Sequence, residues 1–255
     1  MPLEIVTIPC LSDNYVYLIR DVETGTVAVV DAPEAAPILA ELQARDWQLD
    51  QILLTHHHYD HIDGVEELVK ATGAKVIGAK ADAHRLPPLD TAVSEGDRLQ
   101  LGNMNYEVLD VSGHTIGHVA YIFHKGLAAF TGDSLMAWGC GRVFEGTMEM
   151  MWDSMQKFHA LPRAMNIYSG HEYTANNAKF ALTIEPENES LHRRAAEVEA
   201  TLAKGGFTVP VGLGLELATN PFLRASHVKV KSALGMEDAT DAEVFAEIRT
   251  RKDNF

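Results

Sequence analysis

Cysteine is nearly missing from this sequence of 255 residues: only Cys10 and Cys140 occur. Two cysteines build neither a disulfide framework nor a thiolate cage for a metal. Basic residues are also scarce, 21 Lys and Arg against 36 Asp and Glu, for a formal net charge of -15. That balance argues against nucleic acid as a partner and against attraction to anionic membranes. No apolar run approaches a membrane span, and neither end reads as a basic stretch followed by an apolar one. Internal repeats and low-complexity segments are absent as well. A soluble cytoplasmic protein is therefore expected. What is present is a hydrophobic content of 46%, enough for a sizeable core and for more than one domain.

The most informative stretch is Thr55-His56-His57-His58-Tyr59-Asp60-His61. The apolar run 51–54 before it reads as a short buried strand, and 64–70 after it as the opening of a helix. The histidines thus sit at a strand-to-helix turn, where α/β proteins place chemistry. In an extended turn alternate side chains share a face. His56, His58 and Asp60 then converge, His57 and Tyr59 point away, and His61 returns to the site as the helix begins. Such nitrogen and oxygen donors suit zinc, iron or manganese rather than calcium. A solvated His-rich tract would not carry apolar elements on both sides.

Elsewhere, strands are expected over 4–9, 15–20, 26–31, 75–78, 98–101, 105–111, 119–124, 127–131 and 166–169. Helices are expected over 35–45, 148–161, 176–184, 191–203 and 242–249. Residues 79–92 and 207–222 read as irregular connections. Mixed α/β up to about Tyr173 and a helical remainder divide the chain into domains 1–173 and 174–255. Asp31, at a strand end, reads equally as a turn or cap residue and as a carboxylate orienting a metal-bound histidine. His114, Asp133 and His171 each follow a predicted strand and a glycine, which permits the turn that swings a side chain over the sheet edge. Each alone is weak; four such elements in one chain are not.

The H-x-H-x-D-H run and the later His114, Asp133 and His171, in that order, resemble the metallo-β-lactamase superfamily. Ser12-Asp13-Asn14-Tyr15, the stretch from Gly139 to Gly146, Gly170-His171-Glu172-Tyr173-Thr174 and the closing Arg249-Thr250-Arg251-Lys252-Asp253-Asn254-Phe255 are similar to its glyoxalase II (hydroxyacylglutathione hydrolase) family. The resemblance implies an α/β fold, a four-layer αββα sandwich with a C-terminal helical substrate-binding domain. It implies two divalent metal ions per chain, zinc first, with iron or manganese as alternatives. His56, His58 and His114 would hold one ion, Asp60, His61 and His171 the other. Asp133 would bridge them and aim the hydroxide that attacks. His118 is expected to support the site without ligating.

The implied activity is hydrolysis of S-(2-hydroxyacyl)glutathione, chiefly S-D-lactoylglutathione, to glutathione and D-lactate, in methylglyoxal detoxification. A thiol leaving group of pKa about 8.5 departs as thiolate without a dedicated acid. Arg142, Phe144, Tyr173, Arg249 and Lys252 would line the glutathione site, cations facing the two carboxylates of the tripeptide. Some family members carry tyrosine where this chain has Phe144, and lysine where it has Arg142. Without the resemblance, Arg249 and Lys252 read as a solvated helix end. The chain is expected to act as a monomer. Competing readings are a lactonase, a single-iron persulfide dioxygenase and a non-enzymatic metal store.

Overall fold

The computed structural model describes residues 2–255, which divide into two compact units. The first runs up to Asp110 and includes Ile116–Gly132; the second comprises Val111–Thr115 and Asp133–Phe255.

In the first unit, strands β1 (Leu3–Cys10), β2 (Asn14–Asp21) and β3 (Val27–Val30) precede helix α1 (Ala35–Arg45) and strand β4 (Gln51–Leu53). A one-turn helix α2 (Tyr59–Ile62), helix α3 (Val65–Thr72) and strands β5 (Lys75–Ala79) and β6 (Thr91–Val93) follow. The sheet order is β1-β2-β3-β4-β5-β6, antiparallel through β3 and parallel from β3 to β6. Parallel neighbours need crossovers. Helix α1 supplies the one between β3 and β4, and α2 with α3 the one between β4 and β5. Ile38 and Leu42 of α1 and Val65 and Leu68 of α3 pack with Val16, Leu18, Val29 and Ile52 of the sheet. Burying each such side chain contributes about 1.5–3 kcal/mol.

The unit ends in an antiparallel meander of β7 (Arg98–Leu101), β8 (Met104–Asp110), β9 (Val119–Phe123) and β10 (Ala128–Gly132). It lies on the other face of the first sheet. The Tyr121 hydroxyl donates to Leu54 O at 2.8 Å, and the Tyr17 and Phe130 rings meet at 5.6 Å. The layering here is helix, sheet, sheet. Strand β6 was expected to be irregular; it forms as an edge strand because β5 offers a free ladder.

The second unit contains the hairpin β11 (Leu135–Met136) and β12 (Gly139–Cys140), helix α4 (Met148–His159) and strand β13 (Asn166–Ser169). Helices α5 (Thr174–Ile184) and α6 (Glu189–Leu202) come next, then β14 (Val211–Gly212), α7 (Leu213–Thr219), α8 (Val228–Leu234) and α9 (Asp241–Asp253). Strand β14 pairs antiparallel with β13. The segment 207–222, expected to be an irregular connector, thus holds a strand and a helix. These pieces are too short for a periodic signal and are stabilised by their neighbours. Helix α9 opens on a capping box between Thr240 and Glu243 and buries Val244, Phe245, Ile248 and Arg249, one continuous face. Among the described residues no helix is long and apolar enough to cross a membrane.

Candidate metal centre

The first unit collects four donor side chains where β4 ends. Asp31, just past β3 in a left-handed conformation (φ 59°), turns its carboxylate towards them. Its Oδ1 accepts the Thr55 amide at 2.8 Å; its Oδ2 accepts the Thr55 hydroxyl at 2.9 Å and lies 2.8 Å from His61 Nδ1. A carboxylate only accepts, so His61 carries its proton on Nδ1 and presents Nε2 as the lone-pair nitrogen. The Thr55 hydroxyl, having given its proton to Asp31, accepts from His56 Nδ1 at 3.0 Å. His56 therefore presents Nε2 too. One buried carboxylate sets both tautomers.

His56 Nε2 lies 3.1 Å from His58 Nδ1. Two nitrogens bound to zinc at 2.0–2.1 Å in a tetrahedron are about 3.3 Å apart, so the pair is spaced to share one ion. Asp60 Oδ2 stands 3.7 Å from His61 Nε2 and is held at 3.1 Å by Asn14 Nδ2, which also donates to Asp60 O. That gives the motif around Asn14 a task its sequence did not disclose. His57 points away to Asp82 at 2.8 Å, and Tyr59 is exposed. Asp82 is fully buried and also gripped by Arg85; lying in a stretch read as irregular, it carried no signal. His118 is buried with its ring stacked on His56, 4.5 Å between centroids. Gly132 (φ 47°) precedes Asp133; a Cβ there would come within 2.6 Å of Thr55 Oγ1 and 2.8 Å of His118.

The second unit collects the other three donors. Asp133 Oδ2 lies 3.6 Å from His114 Nε2 and 3.3 Å from His171 Nε2. His114 donates from Nδ1 to the Arg142 carbonyl at 2.8 Å, which leaves the lone pair on Nε2, facing Asp133. Gly141 permits this approach, since a Cβ there would meet Asp133 O at 2.2 Å and His114 Nδ1 at 2.8 Å. The His171 ring stacks on Tyr173, 4.7 Å apart and 4° from parallel. Glu172 between them turns aside to the Thr208 hydroxyl. In both units, then, imidazoles are held by an acceptor at one nitrogen, the arrangement metal-ligating histidines need. These His and Asp groups are suited to binding divalent metal. Three of the five remaining histidines have contacts elsewhere: His124 meets Glu107, His192 meets Pro186 O, and His227 caps α8.

The residues expected to contact a peptide lie in the second unit. Arg142 reaches Asp253 Oδ1 at 3.1 Å, and its guanidinium lies 6.0 Å from the Phe144 ring centre. Phe144 is 61% exposed, meets the His114 ring edge-on at 5.3 Å, and donates its amide to His114 O. Arg249 does not form a solvated helix end. It is 5% exposed, donates to Cys140 O at 2.7 Å and to Asp253 Oδ1 at 3.0 Å, and covers the Phe222 ring. Asp253 thus ties Arg142 to Arg249; its i,i+4 spacing from Arg249 was the available signal. Lys252 sits between the rings of Phe180 and Phe255. Burial, and then the Arg249 charge, push its ammonium down to about 8.

Known proteins add to this geometry. Residues 12–171 match the model of the metallo-beta-lactamase superfamily, and 172–255 that of the hydroxyacylglutathione hydrolase C-terminus. The hydroxyacylglutathione hydrolase of Ruegeria pomeroyi is 60% identical over 255 residues, covering both chains completely. That of a Jannaschia species is 57% identical over 252 residues, 99% of this chain and 98% of its own. Among solved structures, ETHE1 from Myxococcus xanthus shares the fold at a TM-score of 0.66 and 24% identity, covering 98% of this chain and 90% of its own. TTHA1623, solved in a di-iron-bound form, matches at 0.63 and 25% identity, over 86% of this chain and 100% of its own. With donors of the right chemistry fixed in both units, and relatives this similar along their whole length, the chain belongs to the hydroxyacylglutathione hydrolase family of the metallo-β-lactamase superfamily.

Proposed function

We propose that the two donor sets act as one binuclear centre and that the protein hydrolyses S-(2-hydroxyacyl)glutathione thioesters, S-D-lactoylglutathione foremost, to glutathione and a 2-hydroxy acid. His56, His58 and His114 take one ion, Asp60, His61 and His171 the other, and Asp133 joins them. Zinc fits the donors best, with iron or manganese as alternatives. The observation that carries this reading is the fixing of His56, His61 and His114 through Nδ1, which leaves Nε2 of each for an ion. Two divalent cations held there supply a nucleophile from water at neutral pH and polarise a carbonyl.

The chain's own part is to orient. Asp31 and Thr55 hold the rings of the first unit, and the Arg142 carbonyl holds His114. Asp133 balances the charge of two cations and aims the attack. The domain 1–173 performs this chemistry, and 174–255 completes the peptide subsite. Arg142, Phe144, Tyr173 and Lys252 line that subsite. Arg249, buried as it is, adds charge and sets the Cys140 carbonyl and Asp253 in place. A thiolate leaving group needs no proton donor, in keeping with a site whose polar residues are nearly all donors to metal. One chain carries every residue required, and its two buried cysteines suit the reducing cytoplasm.

The test is elemental analysis of the purified protein together with turnover of S-lactoylglutathione. Two ions per chain and release of free thiol are expected. One ion per chain, or no thiol released from metal-replete protein, overturns the reading.

A further inference from the structure

A deeply buried ion pair of the second unit lies among residues to which the proposed reaction gives no task. Glu216 of α7 is fully buried and Arg194 of α6 is 4% exposed. Arg194 pairs with Glu216 through Nη2, donates from Nη1 to the Thr219 hydroxyl at 2.7 Å, and lies 3.9 Å above the Trp138 ring. Ion pairs removed from water seldom stabilise a fold more than apolar residues of the same shape would. Stability is therefore a poor account of this one, and its contacts suggest another.

Glu216 Oε2 accepts the Trp138 amide at 2.9 Å and Asn220 Nδ2 at 2.8 Å. Trp138 forms the tip of the β11–β12 hairpin in a left-handed conformation (φ 55°). Asn220 also donates to Met136 O and Gly139 O, each at 3.1 Å, and Asn177 donates to Ala137 O at 3.0 Å. Each residue from Met136 to Gly139 thus has a backbone polar group held by a buried side chain. The hairpin begins two residues after Asp133 and runs into the segment that touches the candidate site. Cys140 O receives Arg249, Arg142 O receives His114, and the Phe144 amide reaches His114 O.

We infer that Glu216, charged and oriented by Arg194, is a positioning residue that clamps the β11–β12 hairpin, so that Arg142, Phe144 and the Cys140 carbonyl are held where the glutathionyl tail binds. This rests on the proposed function and adds a residue remote from the ligands to it. Glutamine at 216 keeps the volume but replaces one acceptor oxygen with a donor, so either Arg194 or the hairpin faces an N–H instead of an oxygen.

In Glu216→Gln, KM for S-lactoylglutathione should rise at least fivefold while kcat stays within twofold. Kinetics with a lactoyl thioester of 2-mercaptoethanol, which has no peptide tail, should be unchanged, as should the metal content. Asn177→Ala, which removes only the Ala137 contact, should shift KM in the same direction by less, and serves should Glu216→Gln fail to fold. Val230→Ala, on the buried face of α8, should lower the melting temperature without moving KM. Hydrogen exchange gives a readout independent of substrate. The Gly141 amide, bonded to Ser134 O, should exchange at least tenfold faster in Glu216→Gln while α4 keeps its protection. If the variants melt lower with wild-type KM and Gly141 protection, the pair is merely structural and the inference falls. If wild-type protein leaves S-lactoylglutathione intact, the proposed function fails instead, and Gly141 exchange alone decides the clamp.

Discussion

Asp31 Oδ2 lies 2.8 Å from His61 Nδ1 and also accepts the Thr55 hydroxyl, which in turn faces His56 Nδ1. A single buried carboxylate thereby fixes two candidate ligands, one directly and one through a hydroxyl.

Replacing it should weaken metal binding before it disturbs the fold. Asparagine tolerates the left-handed conformation at this position but carries no charge to favour His61 as a ligand. Groups that orient ligating histidines typically account for a 10–100-fold effect on metal affinity. Asp31→Asn is expected to lose ions to a competing chelator about tenfold more readily, with a native circular dichroism spectrum. Unaltered affinity would show that Asp31 is only a turn residue.

Strong chelation should abolish thioester hydrolysis, and zinc, iron or manganese should restore it. Asp133→Ala should retain fewer than two ions per chain, because without the carboxylate two cations repel one another unrelieved. A variant keeping both ions and near-native kcat would remove Asp133 from its bridging place, and full activity in metal-free protein would refute the mechanism.

Lys252 should impose a pH limit on substrate binding. With its ammonium pushed down to about 8 by burial, the charge proposed to meet a substrate carboxylate is lost as pH rises from 7 to 9. KM for S-lactoylglutathione should climb across that range, relative to a thioester without the peptide, and Lys252→Arg should flatten the climb. The stability effect has the opposite sense. Between about 8 and 10.5 the folded state binds fewer protons than the unfolded one, so stability gains with rising pH there. Denaturation midpoints of wild type and Lys252→Met compared at pH 7 and 10 would expose that contribution.

Arg249→Ala and Lys252→Ala should differ in kind. Removing Arg249 leaves the buried Cys140 carbonyl without its donor, a cost of about 1–3 kcal/mol, and releases Asp253 from one of its two arginines. Lower stability and a KM raised roughly tenfold are expected together, with kcat little changed. Lys252→Ala should raise KM at nearly native stability, and by less at high salt. Urea titrations beside steady-state kinetics separate the two; equal stability losses would contradict the burial of Arg249.

Phe144→Tyr supplies a hydroxyl on a largely exposed ring beside His114. A net hydrogen bond contributes about 0.5–1.5 kcal/mol, so KM for S-lactoylglutathione should fall about 2–10-fold. No change in KM would mean that this ring contributes packing and its backbone amide alone.

Local chemistry was legible in the sequence. Helix α1 and strands β7 and β13 fall on the residues their patterns indicate, because hydrophobic periodicity acts within one element. Donor atoms belong to particular side chains, so the histidines and aspartates could be picked out along the chain. Short elements could not: β6, β11, β12, β14, α7 and α8 span two to seven residues and depend on neighbours for their hydrogen bonds. Of the acceptors behind the rings, Asp31 showed in the sequence as one of two readings; the others were hidden. Asp82 reaches His57 across 25 positions, and Arg142 O reaches His114 across 28; no local pattern encodes such pairs. Arg249 shows the difference most plainly. Its sequence neighbourhood is that of a solvated, basic helix end, and only the packing of the Phe245–Ile248 face of α9 against the interior takes its guanidinium out of water. Sequence determined which groups could bind, and tertiary structure determined which of them are desolvated, oriented and held, because burial and tautomer are set by atoms far away along the chain.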